Sequence, residues 1–235
     1  MKRYNQGFTL IEIAIVLVII GLLLGGVLKG QELITGARVR NLISQQDGIK
    51  AAFFGFQDRY RALPGDYASA STNINCGANA CMNGNGNGQI ESGATGAVAH
   101  EEALVWNHLT AAGFLNGSYT FADSGPVDAS TPKNPYSSFL DLEYDNNFGA
   151  APLAATTQRK HNLKTGAQVP VEIISEVDRK IDDGLPYNGA FQFSPFAPTG
   201  GTQPTAAACI DATATPSPVW LIRTPSANCG AASLF

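Results

Sequence analysis

An apolar run of 21 residues, Phe8 to Leu28, constrains this chain more than any other feature. Only Thr9 and Glu12 interrupt it with polar side chains. At about 1.5 Å per residue, a helix of that length reaches roughly 30 Å, the thickness of a bilayer's hydrocarbon core. The leader Met1-Lys2-Arg3-Tyr4-Asn5-Gln6-Gly7 places Lys2 and Arg3 at one end, and basic residues hold their end in the cytoplasm. An ordinary secretory signal has a shorter apolar core, about 7–15 residues, with a small-residue cleavage site after it. Here the small residue, Gly7, precedes the run. Cleavage there keeps the membrane segment in the mature chain. A carboxylate at the depth of Glu12 costs roughly 2.5 kcal/mol or more in a bilayer, so it marks a functional position by default.

The register of leader charge, Gly7, Phe8, Glu12 and apolar run resembles the N-terminus of type IV pilins and type II secretion pseudopilins. The resemblance implies cleavage between Gly7 and Phe8 by a prepilin peptidase/N-methyltransferase, followed by N-methylation of Phe8. It implies that Glu12 is the assembly residue, neutralising the Phe8 amine of a neighbouring subunit. Opposite charges attract strongly in low dielectric, and each alone there is costly. The plainer role is a Glu12 paired within its own chain. The implied partners are other pilin or pseudopilin subunits, in a homo- or hetero-polymer, and an inner-membrane assembly platform.

The charge is divided unevenly. Residues 1–61 carry eight Lys/Arg against four acids, and the remainder seven against fifteen. An acidic globular part argues against nonspecific nucleic-acid binding, which relies on Lys and Arg at phosphates. The four cysteines form two local groups, Cys76/Cys81 and Cys209/Cys229, and three pairings are open. The two local pairs are favoured, because an exported domain meets an oxidising compartment. Pilins similarly often close a C-terminal loop with a disulfide. Zinc fits poorly, since no Cys-x-x-Cys pair or well-spaced histidine accompanies these cysteines.

No proline precedes Pro64, so one helix is expected from Phe8 to about Tyr60. Val39, Leu42, Ile49, Phe53, Phe56, Tyr60 and Leu63 recur at three, four or seven residues and define one amphipathic face. Gly21, Gly25, Gly26 and Gly30 each weaken the helix by about 1 kcal/mol relative to alanine. They permit local melting or close helix packing. Leu63-Pro64-Gly65-Asp66-Tyr67 marks the exit, and residues 68–97 read as a long polar surface loop. A second helix is expected over 98–115, ended by Gly113, and a third over 170–180. Strands are expected at 118–121, 139–144, 190–193 and 219–223. The order predicts an α+β fold: a long N-terminal α-helix, half membrane or filament core and half amphipathic, packed on a small antiparallel β-sheet domain. The expected organisation is leader 1–7, transmembrane or filament-core helix 8–30, and amphipathic half with globular domain 31–235.

Two further segments suggest chemistry. Asn83, Asn85, Asn87, Gln89 and Glu91 place side-chain oxygens at alternate positions, with Gly88 sixth and Ile90 eighth, as in the first half of an EF-hand-type calcium loop. Glu91 is its only charge, and Ala94 stands where a bidentate glutamate belongs. Glu101 or Glu102 folding back would help. Calcium binding is one expectation here and a flexible Asn-Gly turn run is the other. Residues 178–186, Asp-Arg-Lys-Ile-Asp-Asp-Gly-Leu-Pro, resemble an Ile-Asp-x-Lys-x-Asp-Asp-Gly-x-Pro signature of some prepilin-like proteins, with Val177 replacing the first Ile. They read as a helix end and Gly-Pro turn, or as a cation or partner site. His100, His108 and His161 lack metal spacing, and nucleophile-elbow, phosphate-loop and dinucleotide motifs are absent. The chain therefore reads as a substrate of enzymes rather than an enzyme. It is expected to be an inner-membrane single-pass precursor with its globular domain in the periplasm, and then a type IV pilus-like subunit in a periplasmic or surface filament. The alternatives are a type II secretion pseudopilin or a membrane-anchored adhesin or binding protein.

Overall fold

The computed structural model describes residues 9–77, 81–93, 100–122 and 126–235. Gly7, Phe8 and Ala94 lie outside the described residues. The chain divides into two units, Met1–Arg38 and Val39–Phe235, and helix α1 (Leu10–Tyr60) has residues in both.

In the first unit the helical residues face solvent. Leu10 is 88% exposed and Leu22 74%, and the most apolar window of the helix is wholly unburied. A side chain placed on Gly21, Gly25, Gly26 or Gly30 would meet nothing within 4 Å.

In the second unit, α1 buries Val39, Leu42, Gln46, Ile49, Ala52, Phe53 and Phe56. Their spacing of mainly three and four residues makes one stripe. Tyr60 and Leu63, expected on the same stripe, are half-buried because the helix ends at Tyr60. Phe53 packs edge-on against Phe54 and Phe235, and Phe56 lies against Tyr60. These aromatics are core packing.

Two apolar clusters form beneath that stripe. Val39 and Leu42 meet α4 (Val171–Ile181), β3 (Phe191–Phe193) and the Cys209–Cys229 region. Ile49, Phe53 and Phe56 meet Trp106 and Leu109 of α3 (Glu101–Ala111), Leu142 of β1 (Asp141–Asp145) and Leu163 of β2 (Lys160–Lys164). With β6 (Ala231–Leu234), the strands form an antiparallel sheet in the order β1-β2-β6-β3. A separate ribbon joins β4 (Ile210–Asp211) to β5 (Val219–Trp220). The remaining elements are single turns, α2 (Ala70–Asn73) and α5 (Ala206–Cys209). The chain is thus a long N-terminal helix followed by a small antiparallel sheet domain, an α+β fold.

Several elements differ from expectation. The 118–121 segment is not a strand. Its Thr120 N–H goes to the Ala129 carbonyl, and no ladder forms. The second helix is shorter than 98–115: it begins at Glu101, after His100 in a left-handed conformation, and ends at Ala111, with Gly113 at φ +80° in the turn that follows, as expected. The 219–223 strand reduces to Val219–Trp220. The described part of 68–97 is not merely surface loop, since it contains α2 and the buried residues Ile74, Cys81 and Ile90. β2 and β6 were not anticipated.

His108 on α3 pins the α1 exit. The Gly65 N–H donates to Nδ1 at 3.0 Å, so Nε2 carries the proton and donates to the Met82 carbonyl at 2.9 Å. Burial pushes its pKa down to about 4, opposed by the bond to Met82. The unfolded imidazole binds its proton near pH 6.5, so the contribution of neutral His108 is complete above that pH. It is lost as pH falls toward 4, by about 3 kcal/mol. The stability gap between wild type and His108→Gln should narrow by that amount on acidification, read from urea melts at each pH. A pH-independent gap would refute the neutral, buried assignment.

Candidate functional site

Glu12 occupies the first turn of α1. Its Oε2 accepts the Thr9 backbone N–H at 2.8 Å and the Thr9 hydroxyl at 2.7 Å, and its own N–H donates to Thr9 Oγ1 at 3.3 Å. This is a reciprocal capping box, Thr-x-x-Glu, which satisfies helix-end donors that have no partner inside the helix. The Thr-x-x-Glu spacing of Thr9 and Glu12 is the sequence signature of such a cap. The geometry turns the carboxylate back toward the chain's start. The donor it receives belongs to the residue directly after Phe8. An amine created at Phe8 by cleavage would therefore lie next in sequence to the N–H already held by Glu12. The apolar helix face around Glu12 is open, with Ile11 and Ile15 more than half exposed.

The Asn83–Glu91 loop is tightly built. The Gly84 N–H donates to the Tyr67 carbonyl and the Gly86 N–H to the Asp66 carbonyl, each at 3.0 Å. A Cβ on Gly84 would fall 2.3 Å from Asp66 backbone atoms, so only glycine permits this approach. Asn83 Oδ1 accepts the Ser71 N–H, Asn85 Oδ1 the Asn87 N–H, and Asn87 Oδ1 the Gln89 N–H. The Asn85 and Asn87 amides both donate to Glu91 Oε2. The asparagine oxygens thus serve the backbone, and Glu91 stands at the focus of the amides. Glu101 does fold back, accepting the Asn85 and Glu91 N–H groups, whereas Glu102 pairs with His100. Asp66, a residue of the helix exit with no motif of its own in the sequence, accepts the Asn87 and Gly88 N–H groups at 2.9 and 2.8 Å. Burial raises the Asp66 and Glu101 pKa values, backbone donors oppose this, and Glu91 adds a like charge to both.

The 178–186 segment ends α4. Asp178 is fully buried and its Oδ2 accepts the Trp220 Nε1–H at 2.7 Å. Burial pushes its pKa up to about 7, and the Trp220 bond and the Gly184 N–H oppose that rise. Asp182 Oδ2 accepts the N–H groups of Ala190 and Phe191, at 2.5 and 2.8 Å. Asp183 Oδ1 accepts the Leu185 N–H at 2.8 Å. Lys180 and Arg179 both pair with Glu176, at 3.0 and 3.8 Å. Cys76 is bonded to Cys81, and Cys209 to Cys229, 20 positions further on, closing a loop near the C-terminus.

These features define a class: a chain with an exposed, membrane-length N-terminal helix, capped by a glutamate in its first turn, leading into a disulfide-bearing α+β domain. Residues 2–28 match the prokaryotic N-terminal methylation motif, the signature of pilins and pseudopilins. The chain thus carries the N-terminal signature of type IV pilin- and pseudopilin-like precursors, and that motif points to a structural subunit processed by prepilin peptidase. No curated protein and no solved structure matches it.

Proposed function

We propose that this protein is a structural subunit of a type IV pilus-like filament. The precursor sits in the inner membrane through residues 8–30, with its globular part in the periplasm. Prepilin peptidase cuts after Gly7 and Phe8 is N-methylated. An inner-membrane assembly platform then draws the subunit into the filament by its apolar helix.

The observation that carries this reading is the exposed apolar stretch of α1, in which the one carboxylate up to Leu28, Glu12, is bonded back to Thr9. An exposed apolar surface of this size requires lipid or protein to cover it. A bilayer covers it before assembly, and neighbouring helices cover it afterwards. Gly21, Gly25, Gly26 and Gly30, where an added Cβ would meet nothing within 4 Å, suit close helix approach.

N-terminal mass spectrometry of protein from its native host tests the reading. The expected mature chain begins at N-methyl-Phe8. Gly7→Leu should leave full-length precursor in the membrane fraction. A mature-sized product from Gly7→Leu, or an intact Met1 in wild type, would favour a plain anchored protein instead.

A further inference from the structure

From the geometry at the end of α4 we infer a calcium site formed by Asp178, Asp182 and Asp183. One carboxylate oxygen from each lies within 4.8 Å of the other two. Asp178 is wholly buried, Trp220 takes its Oδ2, and its Oδ1 makes no hydrogen bond of good geometry, although the Gly184 N–H faces the carboxylate. A buried carboxylate oxygen is strongly disfavoured unless it is paired or coordinates a metal.

Each of the three side chains is held in place by hydrogen bonds to one of its oxygens. Trp220 takes one oxygen of Asp178, Leu185 one of Asp183, and the Ala190 and Phe191 N–H groups one of Asp182. Such fixing orients ligands before the ion arrives. The cluster also stands at a helix C-terminus, where the peptide carbonyls carry partial negative charge and favour a cation. Three carboxylates there have the wrong sign until one binds.

Among the described residues, the nearby cations are engaged elsewhere. Lys180 and Arg179 are turned to Glu176. Lys50 of α1 interacts electrostatically with Asp47 and Asp182, but among the described residues it forms no ion pair with the three aspartates. Asp182 is half-buried and Asp183 exposed, which leaves solvent access on one side.

The donor chemistry selects the ion. All-oxygen ligands suit hard cations such as calcium, magnesium and manganese rather than zinc. Calcium accepts three carboxylates and completes its shell of six to eight oxygens with carbonyls and water, whereas magnesium gives up its water reluctantly. A calcium here would tie the end of α4 to the start of β3, through Asp182, and to the β4–β5 ribbon, through Trp220.

Terbium, a calcium surrogate excited through tryptophan, is the probe, used on the full-length protein in detergent after chelator treatment. Trp220 touches Asp178 directly, so bound terbium should emit on indole excitation, and calcium should displace it. Asp178→Asn and Asp183→Asn keep the acceptor oxygens that Trp220 and Leu185 use, and should stay folded by circular dichroism. Each should weaken terbium binding by about tenfold or more, since affinity follows ligand charge. Glu91→Ala, in the Asn83–Glu91 loop, should leave the emission and its calcium displacement unchanged. Loss of emission in Glu91→Ala with retention in Asp183→Asn would move the site to that loop. Absence of sensitised emission in the wild type, or unchanged binding in both aspartate variants, would overturn the proposal.

Discussion

Glu12→Ala should leave synthesis, membrane insertion and cleavage intact, and should reduce filament assembly by an order of magnitude or more. Insertion becomes easier, because the variant removes a charge costing about 2.5 kcal/mol or more from the apolar run. Losing the cap with Thr9 costs the helix only about 1 kcal/mol. The large effect lies between subunits. The Phe8 amine released by cleavage would enter an apolar filament core without its counter-charge, and an unpaired buried charge costs about 3–5 kcal/mol. Immunoblots of sheared filaments against membrane-fraction subunit measure it. Glu12→Gln separates the two roles, because glutamine can cap Thr9 but carries no charge. Failure of Glu12→Gln assigns assembly to the charge, and its full assembly would assign it to the cap. Normal assembly of Glu12→Ala would remove the proposed role of Glu12 altogether.

Lys164→Met should destabilise the globular unit by about 3–5 kcal/mol, a large part of the roughly 5–15 kcal/mol that holds a domain folded. Lys164 is completely buried. Asp141, Glu143 and Asp145 alternate along β1, so all three project from one face, while Leu142 faces the core. Strand register sets Lys164 opposite Asp141. Its ammonium donates to Asp141 at 2.9 Å, to Asp145 at 2.8 Å, and to Glu143. Burial works against the ammonium, yet the three carboxylates outweigh it and push the Lys164 pKa upward. Burial raises the pKa of Asp141 and Asp145 despite the lysine, because one cation cannot satisfy three acids. Removing Lys164 therefore leaves two buried acids, Asp141 and Glu143, and the half-buried Asp145 uncompensated. The deficit in Lys164→Met should shrink on acidification, as those carboxyls take up protons. Asp145→Asn should be mild by comparison, because it lowers the excess negative charge. Urea unfolding of the full-length variants checks both. A Lys164→Met protein as stable as wild type at neutral pH would show that the cluster is not held by its lysine.

How much of this was legible depends on distance along the chain. The stripe Val39, Leu42, Ile49, Phe53 and Phe56 was readable, because its helical period is local and the same face is buried throughout. The 118–121 segment, Ser-Tyr-Thr-Phe, alternates like a strand but has no neighbour to complete a ladder. β2, Lys-His-Asn-Leu-Lys, and β6, Ala-Ala-Ser-Leu, show weak strand composition. β2 is held by the ion cluster on β1, and β6 is covered because it lies between β2 and β3. Neither cause exists until the sheet forms, and strand preference depends on such context.

The same division runs through the functional residues. The membrane-length run, the leader charges and Glu12 were determined by the sequence alone, because length, apolarity and charge along a contiguous segment do not depend on the rest of the chain. Only the tertiary structure decided that Asp66 and Glu101 gather the Asn83–Glu91 loop, that Lys164 lies among three acids, and that Trp220 holds Asp178 from 42 residues away. These pairings are made by the packing of separated elements. Local pattern cannot encode which distant groups a fold will bring within hydrogen-bond reach.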